Sequence, residues 1–260
     1  MNLGLEGRTA LLSASSRGLG FACAQSLARE GVNVVLNGRN ENDLVSARQK
    51  LLDDGATGTV QTVVADINSA EGRAKLLAAS PTPDILVNNN EGPPPGSFAG
   101  WGEAEWQAAL VANFLAPTFL IQGVIEGMRA RRFGRIVNIT SAMVKTPHSA
   151  MGLSTAARSA LTALCKGVSK DAAADNVTLN NLLPERFDTA RQEHMAQLVT
   201  QLKGISYEDA RAEQVASIPA GRLGDPKEFG DACAFLCSAQ SGFISGQNLQ
   251  LDGGAYAGLI

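Results

Sequence analysis

The stretch whose residue types most clearly suggest chemistry is a turn of small residues, Ser13-Ala-Ser-Ser-Arg-Gly-Leu-Gly20. It follows the apolar run Ala10–Leu12 and opens a helical pattern that begins near Gly18 and ends at Gly31. At the start of such a helix the free backbone N–H groups and the positive end of the dipole attract anions, and glycine lets a ligand approach the backbone. The arrangement predicts a phosphate-binding turn. The alternative is a tight turn whose glycines serve only the backbone conformation.

Apolar strand patterns alternate with helical patterns along the whole chain. This alternation predicts an α/β fold, a single Rossmann-type doubly wound parallel sheet of about seven strands with helices on both faces. Ligands of such sheets bind at the carboxyl ends of the strands. We expect one domain over residues 1–260. The predicted strands are Ala10–Leu12, Val32–Leu36, Val60–Ala65, Ile85–Asn88, Arg135–Ile139, Thr178–Leu183 and Asn248–Leu251.

The composition favours a small-molecule partner. The 260 residues are 45% hydrophobic, and the net charge of −3 comes from interspersed charges without the basic block that nucleic-acid binding requires. The N-terminus lacks a signal-peptide pattern and no uninterrupted apolar run approaches membrane-spanning length, so we expect a cytoplasmic protein without a membrane partner. The cysteines do not have metal-ligand spacing, so we expect free buried thiols and no metal site. They are Cys23, Cys165, Cys233 and Cys237.

Three motifs carry a resemblance to the short-chain dehydrogenase/reductase (SDR) family. The turn Ser13–Gly20 resembles its Thr-Gly-x-x-x-Gly-x-Gly fingerprint, with Ser13 and Ala14 in place of the threonine and first glycine. Asn88-Asn-Asn-Glu-Gly92 resembles its Asn-Asn-Ala-Gly, and Gln250-Leu-Asp-Gly-Gly254 resembles its C-terminal signature. The likeness covers essentially the whole chain. The pattern of residues resembles an atypical SDR subgroup that is similar to β-ketoacyl-acyl-carrier-protein reductases.

The resemblance implies a dinucleotide site along the carboxyl edge of the sheet. Leu182–Thr189 resembles the family segment that clasps the nicotinamide carboxamide, although Glu185 replaces a glycine. Asp66 resembles the aspartate that binds the adenine amino group, or it caps the helix that follows. The implied cofactor-binding residues are Ser13, Ser15, Ser16, Arg17, Gly18, Leu19, Gly20, Arg39, Asp66, Ile67, Asn88, Asn90, Pro184, Phe187 and Thr189.

The residues after the second strand favour NADP(H) over NAD(H). In Rossmann domains an acidic side chain there binds the ribose 2′-hydroxyl, whereas an arginine accommodates a 2′-phosphate. Here the positions are Gly38 and Arg39, and Arg17 in the turn resembles the basic residue of NADP-preferring members. The alternative is that both arginines are ordinary exposed charges.

The family reduces carbonyls by hydride transfer while a tyrosine, whose pKa a neighbouring lysine lowers, donates the proton. By resemblance, Asn113 is the asparagine that supports the lysine, and Ser141 is the serine that holds the carbonyl oxygen. The tyrosine and lysine positions are occupied by Ser154 and Arg158, on one face of a predicted helix. Serine is a far poorer acid and arginine keeps its proton, but Arg158 can hold an oxyanion or a carboxylate.

Three further side chains are candidates for acid chemistry. Lys145 follows Ser141 in a loop expected to run over the nicotinamide, where it could supply a cation or a proton; otherwise it is an exposed loop lysine. Histidine is the residue type best suited to acid catalysis near neutral pH, but neither His148 nor His194 matches a family role and we expect both at the surface.

The resemblance also implies a mobile lid around residues 190–216 and a homotetramer or dimer. The expected subunit contacts are the helices near Glu105–Arg129 and Gly152–Ala174. The small apolar face of the second helix could equally cover the sheet. Its residues are Ala156, Ala160, Ala163 and Leu164.

The functional hypothesis is an NADP(H)-dependent SDR oxidoreductase acting on a carbonyl or alcohol without the Tyr-x-x-x-Lys pair. Ser154 or Lys145 would relay the proton. Two alternatives are a non-redox enzyme of the lyase or dehalogenase type, and a catalytically silent nucleotide-binding or assembly protein on the same scaffold.

Overall fold

The computed structural model describes residues 2–259. Its seven strands confirm the predicted positions to within two residues at each end. They are β1 (Thr9–Leu12), β2 (Asn33–Gly38), β3 (Val60–Val64), β4 (Ile85–Asn88), β5 (Gly134–Ile139), β6 (Val177–Pro184) and β7 (Asn248–Leu251). All pair in parallel, in the order β3-β2-β1-β4-β5-β6-β7.

Helices cover both faces of the sheet, as predicted. They are α1 (Gly18–Arg29), α2 (Glu41–Asp53), α3 (Ala70–Ala79), α4 (Glu103–Leu110), α5 (Ala116–Ala130), α6 (Gly152–Ala172), α7 (Ala190–Lys203), α8 (Tyr207–Ala216) and α9 (Pro226–Cys237). Side chains of a strand alternate between faces. Ala10 and Leu12 therefore pack with α1, α2 and α9, whereas Leu11 packs with α3, α5 and α6.

The strand order reverses between β1 and β4, which lie side by side. Chains leaving two such strands diverge to opposite faces and open a crevice at their carboxyl ends, where doubly wound sheets bind ligands. The turn after β1 and the segment after β4, the two strongest motifs in the sequence, therefore meet at this switch point.

The structure contradicts the alternative role of Asp66 as a helix cap and confirms the free, buried cysteines. Residues 92–96 form an irregular loop, and α9 begins with Asp225 and Glu228 in a capping box. Asp66 does not cap α3; Ser69 does, accepting a hydrogen bond from the Gly72 amide at 2.9 Å. All four cysteines are free and buried.

A ladder of asparagine amides crosses four strands of the sheet. Asn88 donates to Asn138 at 2.9 Å, Asn138 donates to Asn181 at 3.0 Å, and Asn181 donates to Asn248 at 2.8 Å. The four residues are in register on β4, β5, β6 and β7, so each side chain reaches the next strand. This ladder joins the strands directly beneath the crevice.

One continuous helical stretch, Glu103–Ala130, is long and apolar enough to cross a membrane, with a mean hydropathy of 1.8 over an 18-residue segment of it. It comprises α4, a π-helical turn at Val111–Leu115 and α5. Leu120, Val124 and Met128 of α5 are buried against the sheet, which is the packing of a core helix. Length and composition are therefore weak evidence for a membrane span.

Candidate active site

The crevice at the switch point is a cleft of about 940 Å³. Its walls come from the segments after β1 to β6 and from the start of α7. Predicted cofactor residues line it at both ends. They are Ser16, Arg17, Gly18, Leu19, Arg39, Asp66, Ile67, Asn90, Pro184, Phe187 and Thr189.

The turn after β1 brings the first residues of α1 to the cleft. A Cβ at Gly20 would lie 2.6 Å from the Ala14 carbonyl oxygen and 2.7 Å from Asn89 Nδ2, so only glycine fits there. Gly18 has φ +59°, and no atom lies within 4 Å of the position that a Cβ would occupy there. The cleft side of Gly18 is therefore open. The arrangement is a cradle for a group that approaches the backbone closely.

Four predicted cofactor residues do not line the cleft: Gly20, which packs within the turn, and Ser13, Ser15 and Asn88, whose side chains bind the framework. The hydroxyls of Ser13 and Ser15 are buried and donate to the Asn89 and Leu12 carbonyl oxygens at 2.8 and 2.9 Å. The Asn88 amide belongs to the asparagine ladder. Their short polar side chains form the turn and the strand ends rather than contact a ligand directly.

Ala14 occupies a left-handed conformation, with φ +42°. An L-residue with a Cβ is strained there by about 1–2 kcal/mol, and glycine is not. Because glycine also adds freedom to the unfolded chain, Ala14→Gly should raise the free energy of unfolding by a net of about 0.5–1 kcal/mol. Urea unfolding measures this. Ala74→Gly, on the exposed face of α3, should lower it by about 1 kcal/mol; a loss of stability in both variants would contradict strain at Ala14.

An ion pair connects the two walls at the second-strand end of the cleft. Arg39 Nη2 lies 2.8 Å from Glu91 Oε2, and both side chains are well exposed. Asn90, beside Glu91, donates to Asn68 Oδ1 and to the Ala112 carbonyl oxygen. The segment after β4 is thus held to its neighbours while Glu91 reaches across to Arg39.

Ser154 and Arg158 form a buried pair on α6, with 4% and 8% of their surfaces exposed. Arg158 Nε donates to Ser154 Oγ at 3.1 Å. Its Nη1 donates to the carbonyl oxygens of Ile139 and Thr140, both at 2.8 Å. The guanidinium is therefore fixed between α6 and the end of β5, and both residues line the cleft.

A guanidinium has five N–H bonds, and these contacts use three of them. The two on Nη2 have no hydrogen-bond acceptor among residues 2–259. A Cβ at Gly92 would lie 3.4 Å from Nη2, so the glycine keeps side chains away from that nitrogen. Burial, and to a lesser extent the charge of Arg191, lower the pKa of Arg158 to about 10. It remains a cation at neutral pH.

The other predicted catalytic residues divide into two groups. Ser141 lines the cleft and accepts a hydrogen bond from the Met143 amide, while buried Asn113 donates to the Glu91 carbonyl oxygen at 3.3 Å from the π-helical turn. Lys145 is not among the described residues that line the cleft. Its ammonium lies 5.2 Å from the centre of the Tyr256 ring. In this structure Lys145 therefore lies beside Tyr256 and not in the cleft wall.

The segment after β6 forms the opposite wall. Phe187 packs edge-to-face on Phe229 with ring centres 5.2 Å apart. Glu185 also lines the cleft; burial raises the pKa of its carboxyl group, and Arg186, at 3.6 Å, partly offsets this. The unfavourable burial of the Glu185 carboxylate, at a position where the family has a glycine, is thus offset in part by the adjacent Arg186.

Arg191 was not predicted from the sequence as a cleft residue, and the two histidines were predicted only at the surface. Arg191 lines the cleft and donates to the Pro93 carbonyl oxygen at 3.2 Å. His148 and His194 are exposed, as expected, but also line the cleft. Their place in the sequence could have indicated this, because Arg191 and His194 lie in the first turns of the helix that follows the cleft segment Pro184–Thr189. Neither tyrosine is among the described residues that line the cleft.

A family model described as Enoyl-(Acyl carrier protein) reductase matches residues 13–256. The chain belongs to the short-chain dehydrogenase/reductase family. It is 29% identical to 3-oxoacyl-[acyl-carrier-protein] reductase FabG of Vibrio cholerae, over 98% of this chain and 99% of that protein. It is 32% identical to gluconate 5-dehydrogenase of Gluconobacter oxydans, over 96% and 95% of the two chains.

The fold is also similar to solved SDR structures. L-sorbose reductase of Gluconobacter frateurii, in complex with NADPH and L-sorbose, matches with a TM-score of 0.93 and 26% identity, and all of both chains is covered. The seven-stranded sheet and family membership predicted from the sequence are therefore confirmed.

Proposed function

We propose that this SDR protein is an NADP(H)-dependent oxidoreductase that interconverts a carbonyl and an alcohol at Ser141, Ser154 and Arg158, without a tyrosine–lysine pair. The observation that carries the proposal is the Arg158 guanidinium, which is buried and fixed by three hydrogen bonds and has two N–H groups free at the cleft. A fixed cation that presents donors to a cleft stabilises an oxyanion without reorganisation.

The cleft fits a dinucleotide phosphate. The open backbone at Gly18 accepts a group that approaches it closely, Gly20 allows the turn to pack against Ala14 and Asn89, and the start of α1 supplies N–H groups and a favourable dipole. Ser16, Arg17 and Leu19 would hold the phosphates, and Arg39 would meet the 2′-phosphate. Relatives support this choice, since NADPH-dependent reductase BacG of Bacillus subtilis is 29% identical. When bound, NADPH supplies the hydride.

Reduction consumes the carbonyl compound, NADPH and one proton, and yields the alcohol and NADP⁺. As the carbonyl oxygen gains negative charge, an Nη2 N–H of Arg158 would hold it. Ser154 accepts from Arg158 but donates to no acceptor among residues 2–259, so its own proton is available to the cleft. We assign Ser154 as the relay that passes a proton from water to the alkoxide, and Ser141 as a second hydroxyl donor. Lys145 has no part in this step.

Helices α7 and α8 would form the substrate lid. They follow the cleft segment, and Ala190, Gln192 and Met195 of α7 already line the cleft. Closure of such a segment excludes water and selects the substrate. The relatives named above are named for 3-oxoacyl-[acyl-carrier-protein], gluconate and L-sorbose, so we expect the lid of this chain to select between large and small substrates.

Oligomerisation through α6 is supported by its outward face. Ala156 and Ala163 are exposed and Ala160 is partly exposed, so this face does not cover the sheet. Small side chains there permit close helix packing in a homodimer or homotetramer. The proposal also includes a cytoplasmic location, where NADPH is available.

We expect Glu91→Gln to tighten NADPH binding. The Arg39–Glu91 pair is exposed and worth about 0–1 kcal/mol, so freeing Arg39 for a 2′-phosphate should lower the Kd for NADPH by up to about fivefold. NADH, without that phosphate, should change much less. Calorimetric titration at low salt checks this, with Glu126→Gln as a control of equal charge outside the cleft. Equal effects on both nucleotides would contradict a 2′-phosphate role for Arg39.

The proposed function is tested by NADPH consumption with a panel of uncharged and charged ketones. Wild type should turn over at least one ketone, and Ser154→Ala should reduce kcat while leaving the Kd for NADPH unchanged. Tight NADPH binding with no turnover of any ketone would instead indicate a silent nucleotide-binding protein. Failure to bind either nucleotide would overturn the oxidoreductase proposal.

A further inference from the structure

We propose that Arg158 forms a carboxylate subsite in the cleft, and that the substrate is a carbonyl compound bearing a carboxylate group. The reduction of its carbonyl rests on the proposed function. The carboxylate subsite rests on the surroundings of Arg158 alone and is tested separately.

Arg158 lacks the counter-ion that a buried cation requires. It forms no ion pair with a carboxylate among residues 2–259, and its bound partners are two carbonyl oxygens and one hydroxyl. Of the other cleft arginines, Arg39 pairs with Glu91 and Arg186 with Glu185, whereas Arg17 and Arg191 form no ion pair among residues 2–259 but are less buried than Arg158. Burying an unpaired charge is unfavourable unless an anion neutralises it. The missing anion must therefore come from a ligand.

The two unused N–H groups show where that anion would bind. Both belong to Nη2, which lies beside Gly92 on the cleft wall. One of these N–H groups would hold a carboxylate oxygen while the other holds the reacting carbonyl oxygen, and the carboxylate carries the single charge that one guanidinium neutralises. Because Ser154 Oγ lies 3.9 Å from the same point beside Gly92, a free hydroxyl proton is available next to the subsite.

The surroundings of the subsite favour an organic acid over a free inorganic anion. Met143, Met151 and Met195 line the same cleft, and flexible thioether side chains adapt to the carbon part of a ligand. Arg191 adds a second positive charge at this end, although its Nη2 already donates to Pro93. Glu185 is the nearby acid, and it is paired with Arg186. The local charge is thus positive before any ligand binds.

The test compares two probes that differ only in the carboxylate: acetoacetate and its uncharged methyl ester. Binding is measured by calorimetry, with and without NADP⁺, because the oxidised cofactor cannot reduce a ketone and no turnover is needed. Wild type should bind acetoacetate at least about tenfold more tightly than the ester. Arg158→Lys should keep part of this preference, Arg158→Met should lose it, and Arg191→Gln should keep most of it.

Equal binding of the two probes by wild type would overturn the proposal, and this result does not depend on whether any variant folds. Loss of the preference in Arg191→Gln together with its retention in Arg158→Met would also overturn it, because Arg191 would then be the anion site. A preference that disappears when NADP⁺ is added would show that the cofactor itself neutralises Arg158, which contradicts a substrate subsite. If the protein reduces no ketone, these experiments still test the carboxylate subsite, because they measure binding alone.

Discussion

Replacing Arg158 with methionine should lower kcat/KM for carbonyl reduction by about 100- to 1,000-fold. The variant removes the fixed cation and both free N–H donors at the cleft, and the loss of one preorganised oxyanion donor has an effect of this size. Methionine is unbranched and fills much of the same volume. The Kd for NADPH should change little, since the cradle at the start of α1 lies elsewhere in the cleft. Steady-state kinetics with the ketone that wild type turns over measures the effect.

Two controls separate the chemical effect from misfolding. Arg158 also joins α6 to the end of β5 through Ile139 and Thr140, so thermal unfolding of the variant must be measured beside its activity. Arg158→Lys retains the charge but loses the planar fork, and should recover part of the lost activity. Full activity in a folded Arg158→Met variant would remove Arg158 from the reaction.

The elements that position this site could be predicted from sequence because each rests on a local pattern. Apolar runs placed all seven strands, and alternation with helices gave the parallel sheet. The turn Ser13–Gly20 follows β1 as expected, and the i, i+4 spacing placed Ser154 and Arg158 on one face of α6. In these elements the local backbone conformation determines which side chains point to the same side.

The features that escaped prediction depend on contacts between distant segments. The ion pair between Arg39 and Glu91 joins residues 52 positions apart in the chain. Lys145 turns toward Tyr256 instead of the cleft, which the loop sequence does not specify. The positive φ of Ala14 is imposed on a residue that ordinarily avoids it. Each of these requires the tertiary arrangement to be known first.

The second large effect is expected in the asparagine ladder. Asn138 is fully buried; it accepts from Asn88 and donates to Asn181 and to Cys165 Sγ. Asn138→Leu has a similar volume but leaves a donor of Asn88 and an acceptor of Asn181 without partners. Each unsatisfied buried group costs about 1–3 kcal/mol, so the free energy of unfolding should fall by about 2–5 kcal/mol. Urea unfolding measures this loss.

The matched control is Asn248→Leu, at the partly exposed end of the ladder. It removes one hydrogen bond, with Asn181, and should lower the free energy of unfolding by about 1 kcal/mol. Equal losses at the two positions would contradict this account, because the buried centre of the ladder would then contribute no more to stability than the single hydrogen bond at the sheet edge. The sequence signal for the ladder was present, as asparagines in β4, β5, β6 and β7, but β6 has both Asn180 and Asn181, and only the strand register shows which of them belongs to the ladder.

The central claim is that Arg158, a cation at neutral pH, stabilises the reacting oxygen instead of an acid that titrates near neutrality. The most direct test is the pH dependence of the single-turnover rate of NADPH oxidation by a ketone substrate. Since the pKa of Arg158 is about 10, we expect a rate that is constant from about pH 6 to about pH 9 and falls near pH 10, with no such fall in Arg158→Met. An inflection near pH 6.5 that disappears in His148→Gln or His194→Gln would contradict the account, because a histidine would then supply the proton.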